Sequence, residues 1–160
     1  LVSLGLAAAW RQTGLSVAAF KKGPDYIDAA WLSRAAGSPA RNLDAFLMGV
    51  PAMRDSFFER SDGSDVSVIE GNRGIFDGLS GHSTASLAKT LEAPVVLVLD
   101  VTKVTATSAA MVAGIKALDE DLRLAAVIAN RVGGARHGSV VRKAIEEATG
   151  VPVVGLIPKL

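Results

Sequence analysis

Eight consecutive residues, Lys21-Lys22-Gly23-Pro24-Asp25-Tyr26-Ile27-Asp28, hold the densest chemistry in the chain. Two lysines suit phosphate as point charges. Two carboxylates three positions apart suit a hard cation such as Mg²⁺, which takes oxygen ligands and keeps phosphate oxygens and water in its shell. Each half also has a plain structural use, because Lys-Lys is commonly solvated and Asp-x-x-Asp commonly caps a helix. Further candidates recur downstream: Glu70, then Asp77 in a glycine-rich stretch, then Asp100 with Thr102, and Asn130 with Arg131.

The elements that must position these residues follow from periodicity and punctuation. Short apolar runs at Leu15–Phe20, Val66–Ile69, Pro94–Leu99, Leu124–Ala129 and Val153–Ile157 read as five buried strands. Between them lie helical stretches at 1–13, 29–36 (Asp28 as its cap), 44–48, 51–60, 83–91, 105–118 and 139–149, several stopped by glycine. Residues 38–42 read as a loop, and 71–81 as a glycine-rich loop carrying Asp77. Strands alternating with helices imply a mostly parallel sheet with helices on both faces. Ligands bind such sheets beyond the carboxyl ends of the strands, and that is where every candidate above falls. The amino ends supply mainly Gly, Pro and Ala.

Bulk properties narrow the function classes. A chain of 160 residues is one domain able to bury a core. A net charge of +1 gives no basic footprint for nucleic acid. No apolar run reaches the roughly 20 residues of a membrane span. The absence of cysteine removes thiolate metal sites and cysteine nucleophiles, and it fits a cytoplasmic location. His82 and His137 stand at no ligand spacing and read as surface residues. A phosphate-binding run of the form Gly-x-x-x-x-Gly-Lys-[Ser/Thr] is missing, although the chain opens on the kind of helix that would follow one.

Three runs taken in order resemble the cobyrinic acid a,c-diamide synthase family: Phe20 to Asp28, Gly37-Ser-Pro-Ala-Arg-Asn-Leu-Asp44, and Glu70-Gly-Asn-Arg-Gly-Ile-Phe-Asp-Gly78. Residues 83–88 and 93–100 continue the likeness, which spans essentially the whole chain. The resemblance implies a three-layer α/β fold of the P-loop NTPase-like, dethiobiotin synthetase-like kind. It implies an ATP-dependent carbon–nitrogen ligase that amidates the a- and c-carboxylates of a tetrapyrrole through acyl phosphates, with ammonia drawn from glutamine. Residues 1–160 would be the synthetase part, cut from its upstream phosphate loop and its downstream glutaminase domain, and so inactive and a weak nucleotide binder by itself. Asp25, Asp28 and Glu70 would organise or ligate Mg²⁺. Tyr26, Ile27 and Asp77 would shape the acyl-phosphate site. Lys21, Lys22, Asp100, Thr102 and Asn130 would meet ATP or the substrate carboxylate. Asn72-Arg73 departs from the Val-Met pair of the corrin enzymes, so Arg73 would meet another carboxylate on a different tetrapyrrole, of the sirohydrochlorin or sirohaem type. Relatives of the fold often dimerise, which extends to a homodimer by analogy. The rival reading is a partitioning or regulatory ATPase, which shares the fold but has no need of the Gly-Pro-Asp-Tyr-Ile-Asp run.

Overall fold

Val17–Lys22 (β1) is the central strand of the first of two units that make up the chain, Leu1–Leu91 and Glu92–Leu160. The computed structural model describes residues 1–79 and 81–159. In unit 1, β1 lies between two parallel neighbours, Arg41–Leu43 (β2) and Val66–Glu70 (β3). In unit 2 the strands Val95–Asp100 (β4), Leu124–Val132 (β5) and Val153–Pro158 (β6) pair in that order, again all parallel.

Side chains alternate across a strand, so β1 sorts its residues onto two faces. Val17 and Ala19 join Val66 and Val68 of β3 beneath two helices, Val2–Gln12 (α1) and Tyr26–Ala36 (α2), which contribute Ala7, Leu32 and Ala36 to the same core. Phe20 faces the other way and stacks on Phe57 of Val50–Ser61 (α4), with ring centroids 5.0 Å apart. Unit 1 therefore has helices on both faces of its sheet. In unit 2, Thr107–Leu118 (α6) and Ala135–Thr149 (α7) share a core with Leu99, Val127, Ala129 and Val153, while Val96 and Val98 alternate to the exposed face. Two shorter helices complete unit 1, Ala45–Met48 (α3) and Thr84–Thr90 (α5), capped by Asp44 and Ser83 as their sequences suggest.

Four of the differences from the sequence reading have a clear physical reason. Residues 41–43 form an edge strand rather than loop. Arg41 and Asn42 carry no strand propensity, and the segment is held by parallel pairing to β1 and by the fully buried Leu43. β1 continues two residues past Phe20, because Lys21 pairs with both neighbours and Lys22 with Leu43 of β2. Asp25, not Asp28, caps α2: its Oδ1 accepts from the Ile27 and Asp28 amides at 2.9 and 3.0 Å. α7 starts at Ala135 rather than Ser139, which brings His137 and Gly138 into the helix. Gly138 packs closely there: a Cβ would stand 3.0 Å from Leu156 Cδ1 and 3.1 Å from Val132 Cγ1, so those side chains would have to give by a few tenths of an ångström.

Candidate functional site

The ladder register sets Lys21 directly beside Glu70 on β3 and Asn42 on β2. Lys21 and Glu70 share parity with Val17 and Val66, so both side chains leave the sheet on the α2 face. There Lys21 is almost fully buried, at 3% exposure. Its Nζ donates to the Gly71 carbonyl at 2.8 Å and lies 3.4 Å from Glu70 Oε1 and 3.5 Å from Asp28 Oδ2. Because Asp25 takes the capping position, Asp28 falls in the first helical turn and is free to meet Lys21. A buried lysine needs compensating charge, and these two carboxylates supply it.

Asn42 fixes the turn that makes this possible. Its Nδ2 donates to the carbonyls of Gly23 at 2.6 Å and Asp25 at 3.0 Å, across the Gly23-Pro24 bend. Gly23 itself sits at φ +81°, which a residue with a Cβ takes only under strain.

Lys22 has the opposite parity and goes to the other side of the sheet. It lines a cleft of about 820 Å³ within unit 1, walled by Leu43, Phe46, Val50, Met53, Phe76 and Leu79 and edged by Asp44, Asn72, Arg73, Asp77 and His82. His82 meets the Phe46 ring edge-on at 5.6 Å between centroids. Asp77 is drawn into the loop itself: its Oδ2 accepts from the Gly74 amide at 2.9 Å, and its own amide donates to the Gly74 carbonyl at 3.0 Å. Tyr26 and Ile27 are exposed at the start of α2.

In unit 2 the carboxyl ends of β4 and β5 bring Asp100, Thr102, Asn130 and Arg131 together, with Asp100 opposite Asn130 in register. Asp100 Oδ1 accepts from the Thr102 hydroxyl at 2.6 Å and the Thr102 amide at 2.9 Å, while its Oδ2 pairs with Arg131 at 3.1 Å. The Thr102 hydrogen bonds first, and then the Arg131 charge, hold the Asp100 carboxyl below its usual range. Asn130 Oδ1 accepts from the next amide at 3.0 Å. His137, read as a surface residue from sequence, is half-buried: its Nδ1 accepts from the Gly133 amide at 3.0 Å, which leaves Nε2–H to donate to the Val104 carbonyl at 2.6 Å.

The expected three-carboxylate ligand group does not assemble. Among the described residues no three His, Cys, Asp or Glu side chains stand together as a metal-holding group. The structure instead gathers Asp28 and Glu70 on Lys21 and uses Asp25 Oδ1 for the cap. Two carboxylates still fit a magnesium ion, which characteristically takes one or two from protein and fills its octahedron with phosphate oxygens and water. Sequence reasoning missed His82, Phe46 and the turn-holding role of Asn42, although Asn42 lies in one of the runs that carried the family likeness.

A family model described as an AAA domain matches residues 1–160. Among curated proteins, the cobyrinate a,c-diamide synthase of Dehalococcoides mccartyi is 42% identical over 160 residues, covering 98% of this chain and 35% of the relative. Those of Magnetococcus marinus and Listeria monocytogenes are 44% and 42% identical, covering 99% of this chain and 34% and 36% of theirs. The chain thus spans about a third of the length of these relatives. A solved structure of chloroplast FtsY from Physcomitrella patens superposes with a TM-score of 0.66 at 15% identity, covering 97% of this chain and 53% of that one, a likeness of fold alone. The parallel α/β class expected from the strand–helix alternation is the class observed. No helix among the described residues is long and apolar enough to cross a membrane.

Proposed function

Because the chain belongs to the AAA-domain family, we propose that it is the ATP-dependent synthetase part of a longer amidoligase acting on cobyrinic acid or a related tetrapyrrole. The observation that carries this reading is the convergence of Lys21, Asp28 and Glu70 at the carboxyl ends of β1 and β3, in the same unit as an apolar cleft edged by cations. A plain regulatory ATPase needs the first feature and has no use for the second.

In the proposed reaction a substrate carboxylate oxygen attacks the γ-phosphorus of ATP, the bond to ADP breaks, and an acyl phosphate forms. Ammonia then attacks the acyl carbon, the carbon–oxygen bond breaks, and phosphate leaves behind an amide. Glutamine supplies the ammonia through a glutaminase domain in the remaining length of the enzyme. An anion approaching an anion needs charge neutralisation and alignment more than covalent help. Asp28 and Glu70 would hold magnesium, which when bound neutralises phosphate charge. Lys21 keeps both carboxylates in place and offers a positive charge to phosphate. Asp25 organises this edge by fixing the start of α2. Lys22 serves the cleft, where the apolar walls accept the face of a macrocycle. Tyr26 and Asp77 shape access to the reacting carboxylate. Within unit 2, Asp100, Thr102 and Asn130 are the candidate nucleotide contacts. A cytoplasmic location and a homodimeric assembly belong to the same proposal, the latter by analogy with the fold.

The test is an amidation assay of the full-length protein with Mg-ATP and glutamine against several tetrapyrroles, including cobyrinic acid and sirohydrochlorin, with products resolved by mass. Mass changes of one and two amides, dependent on ATP, are expected. ATP hydrolysis with no amidated product from any tetrapyrrole would refute the reading.

A further inference from the structure

The cleft of unit 1 contains two cations whose side chains engage no described residue. Lys22 and Arg73 both line it, and neither side chain forms a hydrogen bond or ion pair with a described residue. In the same unit Lys21, Arg41, Arg54 and Arg60 are all engaged. Arg73 is also held in an unusual backbone geometry, at φ +55°, which a long side chain rarely adopts. The loop enforces it from both sides. A Cβ at Gly71 would stand 2.9 Å from Thr84 Cγ2, so the backbone there is packed tightly on α5. Gly74 is bound twice by Asp77. A strained residue persists only where its surroundings over-determine it, and such residues cluster at ligand sites.

The chemistry of the neighbours identifies the ligand class. A guanidinium with no partner among the described residues, in one cleft with Phe46, Phe76 and Leu79, suits an anion carried on a flat apolar body, and its planar fork matches a carboxylate with two parallel hydrogen bonds. Lys21, Asp28 and Glu70 do not line the cleft, so Arg73 is set apart from the group assigned to phosphoryl chemistry.

We infer that Arg73 is a specificity-determining residue that anchors a peripheral carboxylate of the substrate other than the one being activated, with Lys22 as a second, weaker cation. Asp77 is its positioning residue. The inference rests on the reading of the cleft as the tetrapyrrole site. An anchor of this kind grips substrate and transition state equally, so its loss raises KM and spares kcat.

The experiment uses the full-length enzyme with cobyrinic acid as probe and compares wild type with Arg73→Gln, Arg73→Gly and Arg73→Lys. Glycine accepts the left-handed backbone without strain, so Arg73→Gly keeps the loop folded, with a Tm no lower than wild type. Arg73→Gln and Arg73→Gly are expected to raise KM about 10- to 100-fold with kcat within about twofold, the size expected for one charge-assisted bidentate pair. Arg73→Lys should fall between. Unchanged KM in both neutral variants overturns the inference while leaving the proposed function standing. A tenfold loss of kcat at constant KM also overturns it, by moving Arg73 among the reacting groups. Should wild type fail to amidate cobyrinic acid, the broader reading fails separately. Absorbance titration of the same probe then decides the anchor: at least tenfold tighter binding by wild type than by Arg73→Gln supports it, and equal or undetectable binding overturns it.

Discussion

Replacing Lys21 by methionine removes one buried cation and keeps the volume of its stem. Lys21 is 3% exposed, and its ammonium donates to the Gly71 carbonyl at 2.8 Å. Losing that donor leaves the half-buried Gly71 carbonyl without this partner, at up to about 1–3 kcal/mol. Removing one member of a fully buried ion pair costs about 3–5 kcal/mol. Here the figure must be discounted, because the Asp28 side chain is 45% exposed and its share is screened by solvent. The Glu70 side chain is only 18% exposed, so it carries most of what remains. The expected total for Lys21→Met is about 2–4 kcal/mol, equivalent to a Tm lower by roughly 5–15 °C for a chain of this size. Both tryptophans, Trp10 and Trp31, belong to unit 1, so urea unfolding followed by intrinsic fluorescence reads the affected unit directly. Adding Glu70→Gln supplies a control with a definite sign. Once Lys21 is gone the Glu70 carboxylate is a liability, so the double variant should be more stable than the sum of the single costs requires, by at least about 1 kcal/mol of coupling. A Lys21→Met cost below about 1 kcal/mol, or additivity within about 0.5 kcal/mol, would refute the claim that these groups form one electrostatic unit.

Asp25 separates a structural from a chemical role: Asp25→Asn preserves the cap and should change unit 1 stability by less than about 0.5 kcal/mol, whereas Asp25→Ala should cost about 1 kcal/mol. In the full-length enzyme Glu70→Gln should lower amidation far more than stability, and an unchanged rate would count against its place at the magnesium edge. The Ser16 amide at 2.8 Å, followed by the Ser16 hydroxyl at 2.7 Å, holds Asp65 below its ordinary value of 3.8, so its ionised form favours the folded state. That contribution is complete above the ordinary value and is lost as pH falls through the lowered one; Asp65→Asn should therefore flatten the acid limb of unit 1 stability measured by tryptophan fluorescence, and an unaltered limb would exclude Asp65 as its source. A Cβ at Gly78 would come within 2.6 Å of the His82 carbonyl and the Ser83 amide, atoms that cannot rotate aside. Gly78→Ala should cost about 1–3 kcal/mol in unit 1, and a neutral effect in the same unfolding assay would show the loop to be more pliant than its packing indicates.

Local signals carried much of the fold. Short β-branched runs, glycine stops and the caps at Asp44 and Ser83 act within a few residues, so they are written in the sequence and recur in the structure. The collection of polar groups at the strand ends was legible for the same reason, since period and direction put Glu70, Asp77, Asp100 and Asn130 on one kind of edge. The edge strand at residues 41–43 was not legible, because its pairing with β1 is a long-range contact that Arg41 and Asn42 do not announce.

The opening motif divides along the same line. Its residue types alone determined that phosphate, magnesium and carboxylate chemistry were available at one turn. Only the tertiary structure decided which residue does what. Extending β1 to Lys22 subjected the lysine pair to a two-residue period, which sent Lys21 to the carboxylates on the α2 face and Lys22 to the cleft. The bend at Gly23-Pro24, tied by Asn42, gave the cap to Asp25 and released Asp28 to the buried ammonium. Composition lists the charges within eight residues; ladder register and helix phase, set by contacts some 20 to 50 positions away in the chain, assign their partners.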